Sequence, residues 1–437
     1  MLVWLSFSFL LACNSSYSSP LPLTNTNDRQ DVVLIIVDTL RYDQFHVADT
    51  PFLDAFQKKG TSSLHSWSPS TWTAPSIISL FTGKTVREHG WDFPMPKIMQ
   101  HYNFSYPTFP STNTTLAEVL QSEGYETHGF YSNPLLRREI GFDRGFHNWI
   151  LTEDRKIHKK IQEHLPQISS QHPQFFYVHL MGPHQPLNPS LQKKKKYNVQ
   201  KDALNEYGGL GLAKASEKLT LIDSYKKLYL GVIEDTDQIL KHVVQTLEEK
   251  LDQPLIIITS DHGEMLGEHN LIGHKESMYE ELLHVPYMVK NNTTTLPSLM
   301  SVTATADFIC SNVDIDYDWS VKVDELHYLS AQREGSIAIL DMVNKNKAKG
   351  IWNADFSFVE NHAHIQETNH QYFNISKNVH EKAYAKDKSK WLKQEEIQIL
   401  IQNKKEYTHN PQPQIAAEQA FFTDEILHGL RVLGYIE

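Results

Sequence analysis

Three short apolar runs stand out along the chain, and polar, ion-binding side chains lie at their ends. Asp31-Val-Val-Leu-Ile-Ile-Val37 is continuous and rich in β-branched residues. That is the pattern of a central strand buried on both faces and paired in parallel. It stops at Asp38. Pro173-Gln-Phe-Phe-Tyr-Val-His-Leu180 reads as a second buried strand, and Pro254-Leu-Ile-Ile-Ile-Thr259 as a third, stopping at Ser260-Asp261-His262. Elsewhere the period changes. Thr50-Pro51 opens a segment with Phe52, Leu53 and Phe56 on one face, ended by Gly60. From Ile222 to Leu247 apolar residues recur with the helical period, which predicts a long amphipathic helix. Strands alternating with helices imply an α/β fold with a sandwiched, mostly parallel sheet. In such sheets ligands collect beyond the carboxyl ends of the strands.

The ends of the chain read differently. Leu2 to Ala12 is almost wholly apolar and runs into Leu10-Leu11-Ala12-Cys13. The run has the length of a signal-peptide core and is too short to span a bilayer. Leu-Leu-Ala-Cys resembles the bacterial lipobox, although no Lys or Arg precedes it; a plain cleaved signal and a buried N-terminal strand are the alternatives. Asn14 to Asn27 is rich in Ser, Pro, Thr and Asn, as a tether would be. The expected organisation is a signal and tether over 1–27, a catalytic core over 28–295, and a smaller α+β portion over 296–437 packed on it. An exported protein follows, periplasmic or at the cell surface, touching a bacterial membrane through a lipid at Cys13.

With 40 % apolar residues among 437, the chain can build a full core. A net charge of −11 argues against nucleic acid as a partner, since that needs a basic face. It does not exclude an anionic substrate, because a local field can oppose the net charge. The stretch 187–218, with Lys193 to Lys196, reads as a solvated loop or as a flexible basic rim for such a substrate. The chain's 23 histidines favour metal chemistry. Its two cysteines, Cys13 and Cys310, form no Cys-x-x-Cys pair, which argues against a thiolate site.

Asp38, at the end of a buried strand, must be paired, hydrogen-bonded or metal-bound, or else cap a following helix. Asp261-His262 on a tight turn can aim an oxygen and an imidazole nitrogen at one ion, or simply cap a helix. A mixed oxygen and nitrogen set suits Zn²⁺ or Mn²⁺ best, with Ca²⁺ or Mg²⁺ also allowed. Trp72-Thr-Ala-Pro-Ser76 before Ile77-Ile-Ser-Leu-Phe81 looks like a helix start, which suits a phosphate or sulfate group. Thr73 there is either a cap or a nucleophile.

These strings, taken in order, resemble the sulfatase family of the alkaline phosphatase superfamily. The resemblance rests on Asp38-Thr-Leu-Arg41, Trp72 to Gly83 with His89-Gly90, and Val178-His-Leu-Met-Gly-Pro-His-Gln-Pro186. Ser260-Asp-His-Gly-Glu-Met-Leu-Gly-Glu-His269, Gly273-His-Lys-Glu-Ser277 and Val285-Pro286 extend it, with Gly124-Tyr125, Ser132-Asn133-Pro134, Gly141 to Phe146 and the closing Leu430 to Glu437. The resemblance implies an alkaline phosphatase-like sandwich and one divalent metal held by Asp38, Asp261 and His262. It places Thr73 as metal-bound nucleophile, His184 on the transferred group's oxygens or the leaving group, and Lys275 on the equatorial oxygens. His274 and, further out, His89 become additional substrate or second-metal contacts.

Three departures bear on the chemistry. Sulfatases carry Cys or Ser, oxidised to formylglycine, where this chain has Thr73, which cannot be converted. They place Arg where Ile77 stands, and usually a second Asp where Thr39 stands. The expectation is a metal-dependent, sulfatase-like hydrolase cleaving an anionic sulfate or phosphate ester through Thr73. A phosphodiesterase or phosphoryl transferase of the same superfamily is the first alternative, and a catalytically inactive lipoprotein binding an anionic glycan the second.

Overall fold

The apolar runs become neighbouring strands. The first eleven strands in chain order are β1 (Val32–Val37), β2 (Thr61–Ser63), β3 (His65–Trp67), β4 (Ser105–Pro107), β5 (Glu126–Tyr131), β6 (Asn148–Leu151), β7 (Gln174–Leu180), β8 (Leu255–Thr259), β9 (Met265–Leu266), β10 (Ile272–Gly273) and β11 (Tyr287–Lys290). Seven of them form the central sheet in the order β2-β11-β8-β1-β7-β5-β6. Contacts among β8, β1, β7, β5 and β6 are parallel, and β11 runs antiparallel between β8 and β2. The computed structural model describes residues 29–91, 105–199, 219–268, 271–274 and 279–323, with strand segments beyond them. The proposed signal and tether, Cys13 and Lys275 lie outside the described residues.

Because side chains alternate along a strand, β1 feeds two cores. Val32, Leu34 and Ile36 pack on one face with Tyr177, Ile257 and the helix over Thr73–Thr82. Val33, Ile35 and Val37 pack on the other with Val178, Ile258 and the long helix. Both faces covered is what a continuous apolar strand requires. The first eight α-helices are α1 (Tyr42–Phe45), α2 (Pro51–Lys59), α3 (Thr73–Thr82), α4 (Val86–His89), α5 (Leu116–Ser122), α6 (Asp154–His164), α7 (Leu191–Lys196) and α8 (Leu219–Glu248). Pro51 opens α2, and no side chain of Thr50 caps it. Asp237 of α8 does so instead, accepting from the amides of Phe52 (3.1 Å) and Leu53 (2.8 Å).

Residues 200–218 of the basic stretch lie outside the described residues, and the lysine run itself is not a loop. It forms α7, clasped onto α8 by a buried carboxylate: Lys193 and Lys196 each place Nζ 2.6 Å from Glu234, and the Tyr197 hydroxyl donates to it as well. Removing one such lysine leaves Glu234 a second, which a solvated rim would not need. Ser336–Asp341 pairs with Tyr328–Arg333 and Ile351–Ala354 in a four-stranded antiparallel sheet. No helix among the described residues is long and apolar enough to cross a membrane.

Candidate metal centre

Four strand ends deliver the polar groups. Asp38 follows β1 and keeps the ladder going, its amide donating to Leu180 of β7 at 2.9 Å. The chain then turns through Thr39, which is buried and has φ +59°. That left-handed conformation is costly for a β-branched residue. Three hydrogen bonds hold it: Thr39 Oγ1 donates to the Asp38 carbonyl (2.7 Å), its amide donates to Asp261 Oδ1 (3.2 Å), and the Tyr229 hydroxyl donates to its carbonyl. Arg41, also buried, ties this turn to the one after β8 by donating to the Glu264 carbonyl (2.9 Å) while pairing with Asp43 and Glu268.

The second turn is equally fixed. Ser260 Oγ bridges the two, donating to the His262 carbonyl (2.7 Å) and accepting from the Leu40 amide (3.0 Å). Gly263 has no room for a side chain, since a Cβ would lie 2.0 Å from the Glu281 carbonyl oxygen. His262 Nδ1 sits 2.9 Å from the Gly263 carbonyl. A carbonyl only accepts, so Nδ1 carries the proton and the Nε2 lone pair is offered outward.

That lone pair meets two carboxylates. His262 Nε2 lies 3.6 Å from Asp38 Oδ1 and 3.5 Å from Asp261 Oδ2. Both oxygens are buried and neither accepts a hydrogen bond among the described residues. Three electron-rich atoms facing one another in a dry interior make a candidate cation site, unless one carboxyl keeps its proton. Ligands held about 2.1 Å from one tetrahedral ion stand roughly 3.4 Å apart, so the spacing fits. Asp38, His179 and Asp261 also offer ligand atoms within 4.8 Å of one another. The protonation states agree: burial and then the Asp38 charge push the Asp261 carboxyl far above the carboxylate range. Burial works to raise Asp38 too, but His184, His179 and His262 outweigh it and hold it down at about 2. Two ionised carboxylates coexist here only beside a positive charge.

Thr73 joins this group. It is the first residue of α3, and the cap position is Trp72, with no side-chain cap hydrogen bond. The capping role open to Thr73 in the sequence is therefore not the one it takes. Its hydroxyl lies 3.3 Å from Asp38 Oδ2 and 3.4 Å from His262 Nε2. The preceding turn is stitched to the β8 end, because Ser68 Oγ donates to the Asp261 carbonyl and sits 3.1 Å from Ser76 Oγ of α3. Ile77, where an arginine was the family expectation, is buried in the core.

The other sequence candidates divide. His184 and His274 come together with His262: ring centroids are 5.0 Å apart for the first two and 4.5 Å for His274 and His262. Glu264 backs His274, its two oxygens 3.2 and 3.3 Å from Nδ1. His89 goes elsewhere and corrects the expectation of a substrate or metal contact. It is buried against the second turn of α3, with Nε2 3.0 Å from Ser79 Oγ and Nδ1 accepting from the Trp91 amide at 3.1 Å. With both nitrogens engaged by the fold, it has none to offer a ligand.

His89 makes its own prediction. Burial drives its pKa from 6.5 down to about 3. Below pH 6.5 the unfolded chain takes up a proton that folded His89 refuses, so stability falls as pH drops through that window. His89→Gln should remove up to about 1.4 kcal/mol per pH unit of that dependence. Unfolding free energies of the two proteins at neutral and mildly acidic pH check this; parallel curves refute it.

Two groups escaped the sequence reading. Asn133, after β5, donates from Nδ2 to Asp38 Oδ2 at 2.7 Å and lies 3.4 Å from Thr73 Oγ1. His179, inside β7, places Nε2 3.4 Å from Asp38 Oδ2. Both stand in the quoted motifs, but nothing local says that β7 lies beside β1 and β5 beside β7.

A mostly parallel sheet, covered by helices on both faces and gathering carboxylates, imidazoles and a hydroxyl at its strand ends, defines an alkaline phosphatase-like α/β protein. The sulfatase family model matches residues 30–315, and the chain belongs to that family. It is 25 % identical over 321 residues to arylsulfatase K of Rattus norvegicus, covering 59 % of this chain and 54 % of that one. It is 26 % identical over 289 residues to a low-salt glycan biosynthesis sulfotransferase of Haloferax volcanii, covering 61 % and 56 %. The chain thus spans little more than half the length of these relatives. Its fold matches the phosphonate monoester hydrolase of Silicibacter pomeroyi with a TM-score of 0.64, at 15 % identity over 89 % of this chain and 97 % of that one.

Proposed function

We propose that the protein is a metal-dependent, sulfatase-like hydrolase that cleaves a sulfate or phosphate ester with Thr73 as nucleophile. One observation carries this: the Thr73 hydroxyl, at the start of a buried helix, sits within 3.4 Å of both an Asp38 oxygen and His262 Nε2. Asp38, Asp261 and His262 would hold the ion, with Zn²⁺ or Mn²⁺ best suited to two carboxylates and an imidazole. A divalent ion bound there would favour the Thr73 alkoxide and neutralise charge on the transferred group.

The residues supply the rest. Asp38 Oδ2 is within reach of the Thr73 proton. Thr73 Oγ1 attacks sulfur or phosphorus in line, and the bond to the ester oxygen breaks. His184 protonates the departing alkoxide. The start of α3, through its N–H groups, and Lys275 stabilise the equatorial oxygens. Water, giving a proton back to His184, then attacks the same sulfur or phosphorus; the bond to Thr73 Oγ1 breaks, and Oγ1 recovers the proton passed to Asp38. A threonine ester has no second hydroxyl on its carbon, so it cannot collapse by elimination as a formylglycine hemiacetal does. Resolution by attack at the central atom is natural to phosphoryl transfer, which makes phosphodiesterase or phosphoryl transferase the second reading. The sulfotransferase among the relatives supports an acceptor other than water.

Purified protein assayed side by side on an aryl sulfate, an aryl phosphate and an aryl phosphodiester, each with Zn²⁺, Mn²⁺ and Ca²⁺, tests the proposal. Turnover of at least one ester, abolished by chelator and restored by metal, is expected. No turnover of any of them, with no metal bound, would leave the inactive binder of anionic glycans.

A further inference from the structure

Asp38 is flanked by two histidines that differ in what stands behind them. Behind His262 is a carbonyl, which forces the proton onto Nδ1 and leaves Nε2 as a lone pair. Behind His179 is a phenol: the Tyr177 hydroxyl lies 2.9 Å from His179 Nδ1. Tyr177 is fully buried, and among the described residues this is the only hydrogen bond of its hydroxyl. A buried O–H left without an acceptor is costly, so Tyr177 must donate and His179 Nδ1 must accept. Burial drives the phenol pKa well up and keeps that proton in place. The remaining imidazole proton is then on Nε2, which faces Asp38 Oδ2 at 3.4 Å.

We propose that Tyr177, His179 and Asp38 form a hydrogen-bond relay, O–H to Nδ1 and then Nε2–H to Oδ2, in which His179 is a positioning residue for Asp38 and not a metal ligand. The inference rests on the metal reading above for what it serves. With Oδ2 held by His179 and by Asn133 at 2.7 Å, the carboxylate cannot rotate, and Oδ1 stays aimed toward His262 Nε2. Strand geometry builds the relay: Tyr177 and His179 are two apart on β7 and so share a face, paired in register with Leu34 and Ile36 of β1. Asp38 is the next residue on that face. Proximity alone would group His179 with Asp38 and Asp261 as a ligand; the donor in Tyr177 reverses that role.

Long-range ¹H–¹⁵N spectra of the metal-free full chain read the tautomer directly, with the His179 signals assigned by their loss in His179→Gln. The relay requires an unprotonated Nδ1 and a protonated Nε2; the reverse pattern overturns it. Metal affinity by chelator competition gives the second readout. Glutamine places an N–H where Nε2–H was, so His179→Gln should bind one equivalent within about threefold of the parent, whereas His179→Ala should lose about 10- to 100-fold. Tyr177→Phe should lose several-fold and show mixed tautomers. Equal, severe loss in the Gln and Ala variants, with both still folded by circular dichroism, means His179 is a ligand and refutes the relay. If the parent binds no divalent ion, the metal reading fails, while the spectra of the metal-free protein still decide the relay.

Discussion

Thr73→Ala should lower turnover by at least about 100-fold while the protein folds normally and takes up its metal. The change is small in structural terms. Thr73 is the first residue of α3, where alanine is a good helix former, and it makes no cap hydrogen bond that the helix would lose. Asp38 Oδ2 keeps Asn133 and His179 as donors when the hydroxyl goes. What disappears is the one oxygen placed to attack. Thr73→Ser restores that oxygen and should recover turnover to within about tenfold of the parent. Single-turnover rates on whichever aryl ester is cleaved, with metal content measured on the same samples, separate the outcomes. Near-parental rates in the alanine variant sink the nucleophile assignment; loss of metal alongside loss of rate would mean Thr73 acts chiefly as a ligand.

Asp261→Asn should have opposite effects on function and on stability. Bound metal should fall from one equivalent to below about a tenth, and activity with it, because a charged ligand atom is replaced by a neutral one. Asn can still accept the Thr39 and His262 amides that Asp261 Oδ1 accepts now, so the turn survives. The metal-free variant should then melt higher than the metal-free parent. In the parent, folded Asp261 holds a proton that the unfolded chain gives up above its ordinary pKa of 3.8. Metal-free stability therefore falls as pH rises above that value, and Asn abolishes this contribution. Melting curves of both proteins in chelator from acid to neutral pH test it. A variant that melts lower at neutral pH would show that the buried carboxylate pair does not weaken the metal-free fold, and so is no instance of stability given up for function.

The parts of the fold set by local pattern were legible in the sequence. β1, β7 and β8 fall within the apolar runs, and α8 covers the whole 3.6-residue repeat from Ile222 to Leu247. Asp38, Asp261 and His262 converge as their strand-end positions implied, and Thr73 joins them from the start of α3, as the family resemblance implied. What depended on long-range neighbours was not legible. β5 carries His128 and Gly129 at its centre, a poor strand signature, and is held by its ladder with β7 and by Trp149, whose ring fills the space a Gly129 side chain would take. The run Lys193 to Lys196 looks solvated because its partner, Glu234, lies on another helix. His89 sits in a family motif, yet its role comes from α3 packing over it. His179 and Tyr177 show only as alternate residues of a buried strand until β7 is placed next to β1.

The two turns that meet at the candidate metal centre come from distant parts of the chain: the Thr39 amide and the Asp261 carboxylate that it contacts are 222 positions apart. A growing polypeptide therefore carries Asp38 through the synthesis of those 222 positions before the groups proposed to share an ion with it exist. Only when β8 has emerged and paired with β1 does the pocket exist. On the proposed metal reading, capture then follows the pairing of β8 with β1 and is not a nucleus for it. Partial chains ending before residue 261 should be indifferent to the ion, whereas zinc-finger-like domains gather around theirs.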